Sequence, residues 1–325
     1  MGRRDRQSRV STVSRGGFLE SRTVSETSQL TYQAIVAPRE HRLQLRGLQH
    51  RILQWGPSDA APVLLLHGFQ DCADTFQFFV DAMPREWHFI APDLRGFGGT
   101  QWTNQPYWFP DYLADFEALL DHFALHESVR VIGHSMGGNV AMLYAGVRPQ
   151  RISAVVSLEG FGLRRSSAER APKRYAEWLD QLHKAPAHST YASVEGLAEK
   201  LLRRNPRLTA DRARFVATAW SKLGDTRYEL RFDPWHRLVN PVPYRREEAE
   251  ACWRSISAPV LSVLGGASEY RQALDADGDT QRFHQALGRV TVADLAGVGH
   301  MLHHEAPELV AEVVSQWFVK EGVTP

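Results

Sequence analysis

The chain has 325 residues, 43% of them hydrophobic and 23% charged, with a formal net charge of +1 and two cysteines, Cys72 and Cys252. A near-neutral chain has no bulk field to draw it to nucleic acid or an acidic membrane surface, and two cysteines do not make a disulfide framework. Apolar runs such as Ala61–Leu66 and Ile152–Leu158 are the size of core strands, far short of a membrane-spanning helix.

Residues 1–30 differ in composition from the rest. Arg3, Arg4, Arg6, Arg9 and Arg15 stand among serines and threonines, with few apolar residues. No apolar h-region follows, so this is not a secretory signal, and the stretch reads as a disordered tail. An organelle transit peptide is the alternative, opposed by Asp5, Glu20 and Glu26. A cytoplasmic location is expected.

Beyond the tail the elements alternate. His41–Leu45 and Leu48–Trp55 alternate apolar and polar residues around Gly47 and predict a hairpin. Val63–Leu66 is a continuous apolar run, as in a strand buried on both faces. A helix over Thr75–Met83, a strand over His88–Pro92 and a helix over Tyr112–Phe123 follow. Ser128–Ile132 is a strand, Asn139–Ala145 a helix and Ile152–Leu158 a strand. This order implies a mostly parallel sheet wrapped by helices. From Arg164 to about Ala249 helical stretches appear, at Ala176–Leu182, Val194–Leu202 and Asp211–Leu223, with no convincing strand. The α/β pattern returns with strands at Ala258–Leu264 and Val290–Leu295 and a helix at Pro307–Phe318. The expected organisation is a core over 31–162 and 250–325, with a helical cap over 163–249.

Gly133-His134-Ser135-Met136-Gly137 lies between a strand and a helix. A serine on that tight turn has its hydroxyl pushed out of the sheet edge, at a helix start that favours negative charge. This is the setting of a nucleophile in acyl transfer. Such a serine needs a base. His300, in Gly297-Val298-Gly299-His300-Met301, lies between the last strand and the last helix and can swing over the sheet edge. The oxyanion formed during attack needs two donors. The Met136 N–H and the Phe69 N–H, in the loop His67-Gly68-Phe69-Gln70, are the candidates.

His67-Gly68, Pro92-Asp93-Leu94-Arg95-Gly96-Phe97-Gly98, Gly133–Gly137 and Gly299-His300 together resemble the α/β-hydrolase superfamily. The resemblance covers Tyr32 to about Val319, and within the superfamily it is to lidded, esterase-type members of the serine-hydrolase-like group. It implies an α/β-hydrolase fold with an eight-stranded, mostly parallel sheet. It also implies that a carboxylate follows the strand ending at Leu264, but Ser268 occupies that place, with Glu269 one residue later. The end of the strand after the nucleophile helix offers Glu159 instead, in an arrangement that resembles the haloalkane dehalogenase branch. Glu159 is therefore the expected acid and Glu269 the alternative. The resemblance suggests that Asp93 braces the next loop through Arg95.

His303 and His304 extend a His300-x-x-His303-His304 cluster with some metal spacing. His300 is needed as the base and there is no HExxH string, so the pair reads as a solvated helix start, with one of the two packed behind the triad as the alternative, and no metal is expected. Gly96-Phe97-Gly98-Gly99 lacks the third glycine of a dinucleotide fingerprint at Gln101. Cys72 reads as a small buried hydrophobe.

The expected activity is hydrolysis of a small to medium carboxylic ester with an apolar part, through an acyl-enzyme, with no cofactor and no nucleic-acid partner. Tyr107, Trp108, Trp178, Trp220 and Trp235 are candidates to line the substrate pocket. A carbon–carbon bond hydrolase and a non-catalytic small-molecule binder on the same scaffold are the alternatives. A dehalogenase or epoxide hydrolase is disfavoured, because Ser135 stands where those enzymes need an aspartate.

Overall fold

The structure, a computed structural model, describes residues 31–325 apart from 124, 126 and 185. The tail expected over 1–30 lies outside the described residues. Strands β1 (Arg39–Leu45) and β2 (Leu48–Trp55) pair antiparallel from Arg39–Gln54 to Leu45–Leu48. Arg46 (φ 44°) and Gly47 (φ 81°) make the two-residue left-handed turn that matches strand twist.

Six further strands complete the main sheet. They are β3 (Pro62–Leu66), β4 (His88–Pro92), β5 (Val129–His134), β6 (Ile152–Leu158), and two strands near the carboxyl end, numbered β10 (Val260–Gly265) and β11 (Val290–Leu295) after three short strands between. The order is β1-β2-β4-β3-β5-β6-β10-β11, parallel from β4 to β11. From β3 the chain steps one way to β4 and then returns past β3 to β5. Loops after β3 and β5 therefore part at a switch point, where open α/β sheets leave a crevice at their carboxyl edge.

The period of two in the strands divides the core between the sheet's faces. Leu64, Leu66, Val131 and Val155 pack with Phe116 and Leu119 of α2 (Pro110–His122) and Val140 and Tyr144 of α3 (Met136–Val147). Val63, Leu65, Ile132 and Val156 face the other way. They meet Phe79 of α1 (Gln77–Ala82), numbered first because it precedes α2, together with Val310, Val314 and Trp317 near the carboxyl terminus. The helix expected over Thr75–Met83 is split, with a 3₁₀ turn at Ala73–Phe76 before α1.

Between β6 and β10 lie α4 (Ala171–Leu182), α5 (Val194–Arg204) and α6 (Ala210–Trp220). The absence of strands expected here needs correcting. β7 (Thr190–Tyr191), β8 (Ser221–Leu223) and β9 (Tyr228–Leu230) form a small antiparallel sheet in the order β7-β9-β8. Segments this short carry no readable alternation, and the helix expected over Asp211–Leu223 ends at Trp220, after which β8 begins. Helix α7 (Arg246–Arg254) then packs on α3. Helices α8 (Glu269–Asp275) and α9 (Asp279–Gln285) join β10 to β11, and α10 (Leu302–Glu305) and α11 (Pro307–Lys320) follow β11. Among the described residues no helix is long and apolar enough to cross a membrane.

Candidate active site

Ser135 joins β5 to α3 with φ 48° and ψ −112°, a conformation that costs a side-chain-bearing residue energy. Local chemistry holds it there. The Ser135 N–H donates to the Leu158 carbonyl at 2.9 Å, and the Asn139 N–H donates to the Ser135 carbonyl at 2.9 Å. The turn is too tight for side chains on either side. A Cβ on Gly133 would meet the Gly137 carbonyl oxygen at 2.4 Å, and one on Gly137 would meet the Leu66 carbonyl oxygen at 2.1 Å.

His300 reaches this serine from the loop after β11. Its Nε2 lies 3.0 Å from Ser135 Oγ, and its Nδ1 lies 2.6 Å from Glu159 Oε2. Glu159 follows β6, is fully buried and has φ 56°. The Gly265 N–H donates to its Oε1 at 2.7 Å, and Ser268 Oγ–H donates to its Oε2 at 2.6 Å. These two donors stabilise a carboxylate that would otherwise be costly to bury. Glu269, the alternative acid, is exposed at the start of α8. The structure therefore brings Ser135, His300 and Glu159 into one hydrogen-bonded chain and leaves Glu269 outside it.

Two residues the sequence reading passed over position His300. His134 is buried, and its Nε2–H donates to the His300 carbonyl at 2.9 Å. Burial holds the His134 imidazole well below its usual pKa, so it is neutral. Glu305 accepts from the Gly299 N–H at 2.6 Å and from Asn205 Nδ2 at 2.8 Å. Placement of His134 inside the pentapeptide was a usable signal for the first. Nothing local marked Glu305.

The loop after β3 approaches Ser135 from the opposite side. A Cβ on Gly68 would lie 2.7 Å from His134 Nδ1 and 3.4 Å from Ser135 Cβ, so only glycine lets this loop come so close. Gln70 takes φ 61° immediately after Phe69. His67 ties the loop down: its Nδ1–H donates to the Gly68 carbonyl at 2.8 Å, and its Nε2 accepts from the Leu94 N–H at 2.9 Å. Met136 is the first residue of α3, so its N–H has no carbonyl one turn back within the helix. Asp93 does not pair with Arg95 as expected. It accepts from Arg51 at 3.0 Å, the Ala73 N–H at 2.7 Å and the Gly99 N–H at 2.7 Å. Arg95 instead pairs with Asp115 at 2.5 Å, because α2 presents that carboxylate to it.

Two cavities adjoin one another, the smaller of them at Phe69 and Met136. One of about 160 Å³ is lined by Phe69, Met136, Tyr107, Trp235 and His236. Another of about 440 Å³ is walled by Trp108, Leu143, Leu163, Val242 and Trp253, and shares Phe109 and Asn240 with the first. Trp178 and Trp220, expected at the pocket, line neither cavity. Trp220 turns its Nε1–H to Asp71 at 2.8 Å. His236 stacks on Tyr107 at 3.6 Å and on Phe97 at 3.9 Å between ring centroids, and burial pushes its pKa down to about 3.

His303 and His304 are not a solvated helix start. Both are buried, against Phe76, Phe78 and Trp220. Their Nε2 atoms lie 3.5 and 3.4 Å from Asp71 Oδ2. Burial pushes His303 down to about 4. Asp71 lies well below the usual carboxylate range, because the neighbouring imidazoles outweigh the cost of its burial. Its partners are over 200 residues away, so spacing could not reveal the cluster. Cys72 is buried, as expected, and burial raises its thiol pKa.

A family model described as the alpha/beta hydrolase fold matches residues 61–307. This chain belongs to that family. It is 25% identical over 293 residues to a serine hydrolase-like protein of Danio rerio, covering 86% of this chain and 88% of the relative. It is also 25% identical over 289 residues to a putative 2-succinyl-6-hydroxy-2,4-cyclohexadiene-1-carboxylate synthase of Bacillus subtilis, covering 83% of this hydrolase and 95% of that protein. Among solved structures, a hypothetical protein of Pseudomonas aeruginosa PAO1 superposes with a TM-score of 0.77 at 26% identity, covering 86% of this chain and 99% of the other.

Proposed function

We propose that this α/β hydrolase cleaves a small to medium carboxylic ester with an apolar part, through an acyl-enzyme on Ser135. The observation that carries the reading is the chain of contacts from Ser135 Oγ to His300 Nε2 and from His300 Nδ1 to Glu159 Oε2, at 3.0 and 2.6 Å. In the first step Ser135 Oγ attacks the ester carbonyl carbon, and His300 Nε2 takes the hydroxyl proton. Glu159 holds the Nδ1–H tautomer and stabilises the imidazolium. The Phe69 and Met136 N–H groups hold the oxyanion. His300 then passes its proton to the departing alcohol. A water molecule, deprotonated by the same nitrogen, releases the acid and restores Ser135.

The apolar portion of the substrate occupies the small cavity at Phe69 and Met136, with Tyr107 and Trp235 as its walls, and a longer chain extends past Phe109 towards Trp108. Segment 163–249 acts as the cap over this edge of the sheet. The free cysteines Cys72 and Cys252 suit a reducing, cytoplasmic setting.

Labelling with a fluorophosphonate probe, followed by turnover of p-nitrophenyl esters of increasing acyl length, tests the reading. Wild-type protein labels and hydrolyses these esters, and Ser135→Ala does neither. Labelling of Ser135→Ala, or a wild type that cleaves vinylogous diketones but no ester, overturns it.

A further inference from the structure

We infer that Asp71, His303 and His304 form a binding site for a transition-metal dication of the zinc or cobalt type, beside the triad and separate from it. The three side chains are at most 3% exposed. They offer Asp71 Oδ2 and one nitrogen of each imidazole, all within 4.8 Å of one another. Each His Nε2 stands 3.5 or 3.4 Å from Asp71 Oδ2. Ligands about 2.1 Å from zinc in a tetrahedron are about 3.4 Å apart, which is the separation of each imidazole from the carboxylate oxygen.

Polar satisfaction points the same way. Asp71 Oδ2, His303 Nε2 and His304 Nε2 are buried with no hydrogen-bond partner among the described residues. Unpaired buried polar atoms are costly, and here each Nε2 has only the ion-pair separation from Asp71 Oδ2. The other carboxylate oxygen is fully engaged. Asp71 Oδ1 accepts from the Cys72 N–H at 2.9 Å, Thr75 Oγ1 at 2.8 Å and Trp220 Nε1 at 2.8 Å. Three donors thus fix the carboxylate plane and aim Oδ2 at the two imidazoles, which is how outer partners orient a metal ligand.

The other buried cluster of this kind, Cys72, Asp74 and Asp93, is already filled. The Arg51 guanidinium bonds both carboxylates, at 2.6 and 3.0 Å, and supplies the positive charge. Among the described residues no Lys or Arg side chain does so for Asp71, whose only ion-pair neighbours are the two imidazoles. A dication there would bind the loop after β3, which carries Phe69, to α10, which follows His300. It would act as a clamp between two loops of the site. The inference depends on no chemical role for Ser135.

The test is metal content and spectroscopy on the full chain, produced in cobalt-supplemented medium and desalted. The expected result is near-stoichiometric Co²⁺ with the intense visible d–d bands of tetrahedral coordination. Asp71→Asn keeps an acceptor for the three donors to Oδ1 and removes the anionic ligand. It should lose at least about tenfold in retained cobalt, as should His304→Gln. Circular dichroism checks that each variant is folded, and if Asp71→Asn is not, His304→Gln decides. Wild-type protein without bound cobalt or zinc overturns the proposal and leaves an ion pair between Asp71 and a protonated imidazole. Equal cobalt retention by wild type and the folded variants also overturns it.

Discussion

Ser268 Oγ and His300 Nδ1 meet the same oxygen of Glu159, each at 2.6 Å. The serine thus stands where the family resemblance places an acid, and it hydrogen-bonds the carboxylate of Glu159 at the neighbouring strand end. We predict that Glu159→Gln lowers kcat for a p-nitrophenyl ester by roughly two to four orders of magnitude, because an amide can neither fix the Nδ1–H tautomer nor stabilise the imidazolium. Glu269→Gln should leave kcat within about twofold, the size of effect expected of a surface change away from the site. The reverse ranking of the two variants would refute the assignment.

The same geometry permits relocation of the acid. Ser268→Asp alone places two carboxylates against each other in a buried site, where like charges are costly. It should lower both the melting temperature and kcat. In combination with Glu159→Gln the new aspartate gains an amide neighbour in place of a charge. We expect the double variant to be at least about tenfold faster than Glu159→Gln. Equal rates for the double and single variants would show that position 268 cannot reach His300.

How far this was legible in the sequence depended on locality. The strand–serine–helix pentapeptide, Gly68 and His300 are marked by tight turns with few residue solutions, and the structure brings them together. Glu159 was legible because a carboxylate beside glycine at the end of an apolar strand has little other reason to be there. Its donors Gly265 and Ser268 come from across the sheet, and nothing in the sequence marks either as a partner of Glu159. The Asp71–His303–His304 cluster joins residues with no shared pattern, so His303 and His304 read as surface. Arg95 shows the same limit: its acid, Asp115, belongs to a helix whose facing could not be read. In the inserted segment, three strands of two or three residues fell below the length at which a period can be counted.

Backbone strain at Ser135 gives a stability prediction opposite in sign to the activity effect. A serine at φ 48°, ψ −112° sits outside the favoured regions, at a cost of order 1–3 kcal/mol. Glycine relieves that cost but loses about 0.5–1 kcal/mol through the freer unfolded chain. Ser135→Gly should therefore be inactive yet more stable by about 1 kcal/mol, a rise of about 1.5 °C in Tm for a protein of this size. Ser135→Ala keeps the strain and should melt near the wild-type temperature. A lower Tm for Ser135→Gly would show that the turn is not strained.

Acid lability should trace in part to His236. Burial between Tyr107 and Phe97 pushes its pKa from 6.5 to about 3. Between those values the unfolded chain binds a proton at this imidazole that the folded protein does not. Stability therefore falls as pH falls through that window, and the contribution is fully present only above about pH 6.5. His303, pushed to about 4 by burial, acts in the same direction over a narrower range. Replacing His236 by Phe keeps an aromatic ring in the stack and removes the titration. The substitution gives up a 3.3 Å contact between His236 Nδ1 and Tyr112 Oη. We expect the drop in Tm from pH 7 to pH 5 to be smaller in His236→Phe than in wild type by several degrees, with the two proteins closer in Tm at pH 7 than the slopes alone would suggest. Thermal unfolding at pH 7, 6 and 5 measures this directly. Parallel Tm–pH curves would mean that the imidazole is solvated and protonates freely in the folded state.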